Sequence, residues 1–265
     1  VSGETSWDPR RDALEGSFTE RRVVGSYRLG DQLRVSRFGA VWLALSPDDE
    51  RVLELEHYAD LEGQVARDAE GVLMQGLGAC VGLRHRHLAE LVGLGLLDGA
   101  PYVVRVHRPG RLLAEVLEDG PLPHDLVAGV AYALADVLDY LASEGHFPGA
   151  CAHGGPDRDE VLLGYDGTIQ LLGVGLPGAR GAGHAPLARD FEGLKALALA
   201  MGGEAPDVVR EVLAAADPAD VKARLRRGFR EACGLRAMTV AGLMRARYAE
   251  RIGAERDALG LPTLH

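Results

Sequence analysis

The sequence contains no asparagine and only two lysines, Lys195 and Lys222, against 27 arginines (29 basic residues less those two). Any chemistry that needs an asparagine, or a lysine within the first 194 residues, is excluded. Cysteine is nearly as scarce: Cys80, Cys151 and Cys233 form no short-spaced framework, so reduced thiols in a cytoplasmic setting are the default expectation. No apolar run approaches the roughly 18 residues of a membrane helix, and the most hydrophobic stretch, Leu126 to Ala135, is cut by Asp136. No membrane span is expected. The first residues lack the basic region and apolar core of a secretory signal, and Val1 in place of Met is what a processed chain or part of a longer product would show.

What is present belongs to the ordinary globular class. The 265 residues carry a net charge of −10, with 47% hydrophobic and 26% charged residues, enough to bury a core without disulfides or metal. Residues 1–22 are polar without a sustained period and read as a loose extension. From Tyr27 the texture is that of strands: Tyr27 to Leu29, Leu33 to Val35, Ala40 to Ala44, and Arg51 to Glu56 with period-two alternation, the last two joined across the turn signal Ser46 to Glu50. Apolar spacing between Leu61 and Leu77 predicts a helix. Leu88 to Leu97 and Pro101 to Val106 read as a hairpin around Asp98-Gly99. Beyond Pro109-Gly110 the character is helical, most clearly from His124 to Ser143, with strands returning at 161–163 and 169–172. The division is therefore an extension at 1–22, a β-rich lobe at 23–108 and an α-rich lobe at 109–265.

This order of elements, with LRVSRFGAVWLA at 33–44, PYVVRVHRPG at 101–110, HGGPDRDEVLL at 153–163, IQLLGVGL at 169–176 and DFEGL at 190–194, resembles the protein kinase fold, in particular bacterial Ser/Thr kinases of eukaryotic type. The resemblance covers most of the chain and implies an α+β, two-lobed architecture. Set against the family's catalytic pattern H-R-D-L-x-x-x-N, His153 stands at the histidine, Gly155 at the aspartate and Glu160 at the asparagine, while Gly173 falls at the aspartate of the metal-binding turn. In the glycine-rich loop Arg34 and Ser36 replace the first two glycines and only Gly39 remains. Strand alternation puts Glu54 at the lysine position; a one-residue slip would put Leu55 there.

Each replacement removes a specific job. Side chains at 34 and 36 keep backbone amides from a phosphate, a carboxylate at 54 repels one, Gly155 accepts no proton from a hydroxyl, and Gly173 ligates no metal. Glu160 alone could still offer a hard oxygen ligand. The scaffold positions survive better: the resemblance gives Asp190 the role of bracing the catalytic-loop backbone. The activation segment, 176–189, is short, rich in Gly, Ala and Pro, and holds no Ser, Thr or Tyr to phosphorylate.

Other features have plainer explanations. His146, Cys151 and His153 match no strong metal spacing; His85 and His87 fall in a turn; Glu70, without a lysine partner, reads as a solvated helix residue. From Asp220 to Arg251 nine basic residues face three acidic ones, a segment of +6 in an acidic chain. Packing against acidic surface of the same chain is the simplest explanation, and a docking face for an acidic partner, carried by Arg226, Arg227 and Arg230, is the sharper one. The negative remainder opposes nucleic-acid binding. The expectation is a catalytically inactive pseudokinase that binds no cofactor or metal and acts as a protein-binding scaffold or allosteric regulator. The alternative is a kinase-fold enzyme carrying out an unconventional nucleotide-dependent transfer.

Overall fold

A computed structural model of the chain describes residues 22–36, 38–46, 51–58, 74, 76–144, 153–175, 186–230 and 237–258. The alternating apolar runs of the first part build one antiparallel sheet from β1 (Arg22–Val24), β2 (Tyr27–Ser36), β3 (Gly39–Leu45), β4 (Val52–His57), β5 (Leu91–Leu97) and β6 (Ala100–Val106), in the order β1-β2-β3-β4-β6-β5. The two short runs expected at 27–29 and 33–35 are one ten-residue strand, bent by register irregularities between Leu29 and Arg34. The β5–β6 hairpin closes through two residues with positive φ, Asp98 at 52° and Gly99 at 81°, the twist that a tight two-residue turn needs. Strand β5 starts at Leu91 rather than Leu88, because Leu88 instead bridges to Leu171 in the second lobe. The helix expected over 61–77 lies outside the described residues except at its end, where residues 76–80 are helical; residues 1–21 of the extension, the 47–50 turn and Glu70 also lie outside them, while Arg22, expected in the extension, is the first residue of β1.

The second lobe begins with β7 (Gly110–Leu112), which pairs with β8 (Val161–Gly164) and through it with β9 (Ile169–Leu171). Helices α1 (Leu113–Glu118), α2 (His124–Glu144), α3 (Pro186–Met201), α4 (Pro206–Leu213), α5 (Pro218–Gly228) and α6 (Ala237–Ala258) complete it. By length and mean hydropathy (1.4 over residues 124–143), α2 is apolar enough to cross a membrane, which the interruption at Asp136 had hidden; yet 72% of that window is buried within the protein. Packing accounts for its composition. Its faces meet α3, α5 and β9, and a continuous core runs from Phe38, Tyr58 and Leu77 in the first lobe to Leu134, Leu163 and Leu194 in the second. The other face of the sheet has a smaller core, Leu29, Ala44, Leu53, Leu55 and Val104.

Helix α3 carries the residue that ties the second lobe's loops to its core. Asp190, buried, accepts backbone N–H bonds from His153 (3.0 Å), Gly154 (2.5 Å) and Gly155 (2.9 Å). Three amides that point inward from an irregular loop are satisfied by one carboxylate. Removing it leaves them without that acceptor in a dry site, at about 1–3 kcal/mol for each unsatisfied group. Asp190→Ala is expected to lower stability by at least about 3 kcal/mol in denaturant titration, whereas an exposed change on the same helix, Glu192→Ala, stays within about 0.5 kcal/mol.

Candidate functional site

Alternation on β4 sends Leu53 and Leu55 to the small core and Glu54 and Glu56 to the opposite face, toward the cleft between the lobes. Both glutamates are buried, at 3% and 5% exposure. Two carboxylates so placed need cations, and neighbouring strands provide them. Arg34 of β2 reaches Glu54 Oε2 with Nη2 at 2.8 Å. Arg105 of β6, directly opposite Glu54 in register, lies 3.4 Å from Glu54 Oε2 through Nε and donates through Nη2 to Glu56 Oε2. Just past β6, His107 Nδ1 lies 2.9 Å from Glu54 Oε1. Burial pushes Glu54 up, but Arg34, the His107 hydrogen bond and Arg105 outweigh it and hold the carboxyl far below the ordinary range. Arg105 is the mirror case: burial favours losing its proton, and Glu56 and Glu54 raise its pKa instead.

Two cavities adjoin this cluster. One, about 210 Å³, is bordered by Arg34, Ser36, Glu56, Arg105, Asp159, Glu160 and Gly173. The other, about 230 Å³, lies between Leu33 and Leu43 on one side and Leu112 and Leu162 on the other, with Glu54 and His107 at its inner end. In space, the residue of β4 beside the Gly173 turn is thus Glu56, two places along the same face from Glu54. A carboxylate stands at both places.

Ser36 ties the end of β2 to the start of β3. Ser36 Oγ donates to Gly39 O and accepts from Phe38 N, both at 3.1 Å, and Phe38 turns inward edge-on to Tyr58, with ring centroids 5.6 Å apart. Gly39, at φ 145°, is the conformation that requires its glycine. On the opposite wall, His153 is buried with Nε2 2.7 Å from Leu172 O. Gly155 sits at φ 104°, where an aspartate would be strained. Glu160 caps its own short turn, with Oε2 accepting from Asp157 N at 3.1 Å. Gly173 places no side chain at the cavity it borders. The residues present do not fit a metal-bound polyphosphate: both arginines at the cavity are ion-paired to buried glutamates, and the remaining charged groups there are carboxylates. Among the described residues, no group of three or more His, Cys, Asp or Glu side chains is placed to hold a metal ion. His146, Cys151 and the activation segment up to residue 185 lie outside the described residues.

The basic segment divides. Lys222 binds Asp136 (2.8 Å) and Asp139 (2.9 Å), Arg224 binds Asp220 (2.9 Å) and Glu211 (3.4 Å), and Arg247 donates to three backbone carbonyls. Arg226, Arg227 and Arg230 are exposed, Arg226 with its guanidinium 5.1 Å from the centroid of the Tyr132 ring. His85 and His87 sit in their expected turn, half-buried, His85 stacked on Tyr140 and 3.3 Å from Asp136. Glu56, Arg105 and His107 were not singled out from the sequence. An arginine in the middle of the apolar run PYVVRV, opposite a strand with two alternate glutamates, was the available signal.

A two-lobed α+β domain with this sheet order, this braced loop and this cleft has a protein kinase-like fold, of the kind found in bacterial Ser/Thr kinases of eukaryotic type. Among solved structures it is similar to the kinase domain of Mycobacterium tuberculosis PknI. One structure of that domain is 20% identical, with a TM-score of 0.62, 81% of this chain and 97% of that chain covered; a double mutant of it is 18% identical, with 0.64, 81% and 98%. No family model and no curated protein matches the chain.

Glu54 provides a pH test. Its pKa in the folded protein lies below its ordinary 4.5, so its contribution is complete above that value and is lost as pH falls through the lower, folded value. The melting temperature of the parent protein is expected to drop between about pH 5 and about pH 3, with a shallower drop for Glu54→Gln. At neutral pH, Glu54→Ala, which leaves buried positive charge uncompensated, is expected to cost about 3–5 kcal/mol.

Proposed function

We propose that this protein is a pseudokinase: a kinase-like fold without phosphotransfer activity that works by binding another protein, as scaffold or allosteric regulator, in the cytoplasm. The observation that carries this reading is the Arg34–Glu54–Arg105–Glu56 cluster, which places buried, internally neutralised carboxylates on the cleft face of β4. A nucleotide's phosphates would meet negative charge whose counterions are already committed. Gly155 and Gly173, which carry no proton acceptor and no metal ligand, act in the same direction.

Binding to the native state alone would raise stability by about 2.7 kcal/mol at a hundredfold excess over the dissociation constant. Millimolar Mg-ATP is therefore expected to leave the melting temperature unchanged, and the purified chain to transfer no phosphate from ATP to any substrate. A metal-dependent thermal shift, together with transfer abolished by a cleft substitution, would instead support the unconventional nucleotide-dependent enzyme.

The exposed arginines of α5 and the residues after it are our choice for the partner surface, because planar, multiply donating guanidinium groups suit carboxylates and are enriched where binding energy concentrates. Charge reversal at Arg226, Arg227 and Arg230 together is expected to abolish co-purification of the partner with little change in melting temperature. Intact co-purification would remove this surface from the interface, and loss of folding would assign the arginines to internal packing.

A further inference from the structure

Helix α6 is two pieces under one name. At Tyr248 the backbone leaves helical geometry (φ −127°, ψ 22°), and the halves on either side are held differently. The first half is set in the core by Val240 and Met244, both at most 1% exposed. In the second half, residues 249–258, the only buried side chain among those described is Ile252. Among the described residues a polar contact joins it: Tyr165 OH, from the turn after β8, donates to Glu255 Oε1 at 3.0 Å.

The break itself is pinned. Arg247 donates to the carbonyls of Val116 (2.9 Å), Gly120 (3.2 Å) and Pro121 (2.7 Å), and Tyr248 OH donates to Asp119 Oδ2 at 2.6 Å. A pinned pivot followed by a lightly held arm can open without unfolding the lobe, since local opening follows the density of buried contacts. The arm's destination gives that opening a consequence. Glu255 borders the second cavity, the one with Leu33, Leu162, Glu54 and His107 in its wall, although it lies 148 residues from His107 in the chain (255 less 107).

We infer that residues 249–258 are a strap, pivoting at Tyr248, which closes this second cavity through the Tyr165–Glu255 hydrogen bond and uncovers it when that bond is released. The inference stands apart from the scaffold reading: it concerns access to the cavity, whatever enters there. It makes the far end of α6 an intramolecular control on the cleft.

Hydrogen exchange of the whole chain, followed by mass spectrometry, tests it. Tyr165→Phe keeps the ring and removes the donor; exchange in residues 249–258 and in the cavity-lining residues 107–112 is expected to quicken on the order of tenfold, while residues 237–247 keep their parent rates. Glu255→Ala is expected to do the same, and Glu255→Gln, which retains an acceptor for Tyr165, to restore parent exchange. Unchanged exchange in both segments for Tyr165→Phe and Glu255→Ala would overturn the strap. So would a uniform acceleration across the chain with a matching fall in melting temperature, which would mark the bond as an ordinary fold contact.

Discussion

Two carboxylates buried on one face of a single strand impose the constraint around which the cleft is built. An isolated buried carboxylate is costly to desolvate, and a second one two residues away adds repulsion, so the pair calls for cations beside it. The strands on either side answer with Arg34 and Arg105, and His107 takes the last oxygen of Glu54. Each answer has a consequence. Arg34 lines the cavity with its guanidinium already paired, and Arg105 stands in an otherwise apolar strand, so the positive charge that satisfies the glutamates is already committed.

Below the cleft, the demands are different and the outcome is different. The amides of His153, Gly154 and Gly155 need an acceptor whether or not the loop performs chemistry, and Asp190 supplies it from the buried helix α3. Backbone satisfaction is a folding requirement, whereas a proton acceptor at 155 or a metal ligand at 173 is only a functional one. A chain 18–20% identical to a kinase domain shares that fold over 81% of its length.

Charge elsewhere in the molecule follows the same division between what folding uses and what it leaves over. Lys222, Arg224 and Arg247 are engaged by acidic side chains or helix-end carbonyls. Arg227 and Arg230 remain at the surface, and Arg226, also exposed, lies over the Tyr132 ring. On α6, Val240, Met244 and Arg247 hold the part before Tyr248, and Ile252 and the Tyr165–Glu255 hydrogen bond hold the part after it.

Much of the fold was legible because local signals agreed: alternation in β4, the Asp98-Gly99 turn, and the apolar face of α2 each specify an element from neighbours a few residues away. The identities at 34, 36, 155 and 173 were likewise readable, since an absent functional group is a property of the residue type alone. Alternation could place Glu54 and Glu56 on one face, but not say which borders the Gly173 turn, because period two leaves a two-residue shift invisible. Nor could it pair Arg105 with glutamates 49 and 51 residues earlier, or bring Glu255 to the cavity at His107. Sequence by itself determined which elements form and which side-chain chemistries are available at each position, both of which depend on near neighbours or on side-chain type. Tertiary structure alone decided which charges neutralise each other, because ion pairing depends on distances set by strand register and helix packing across stretches of chain that carry no local sign of their meeting.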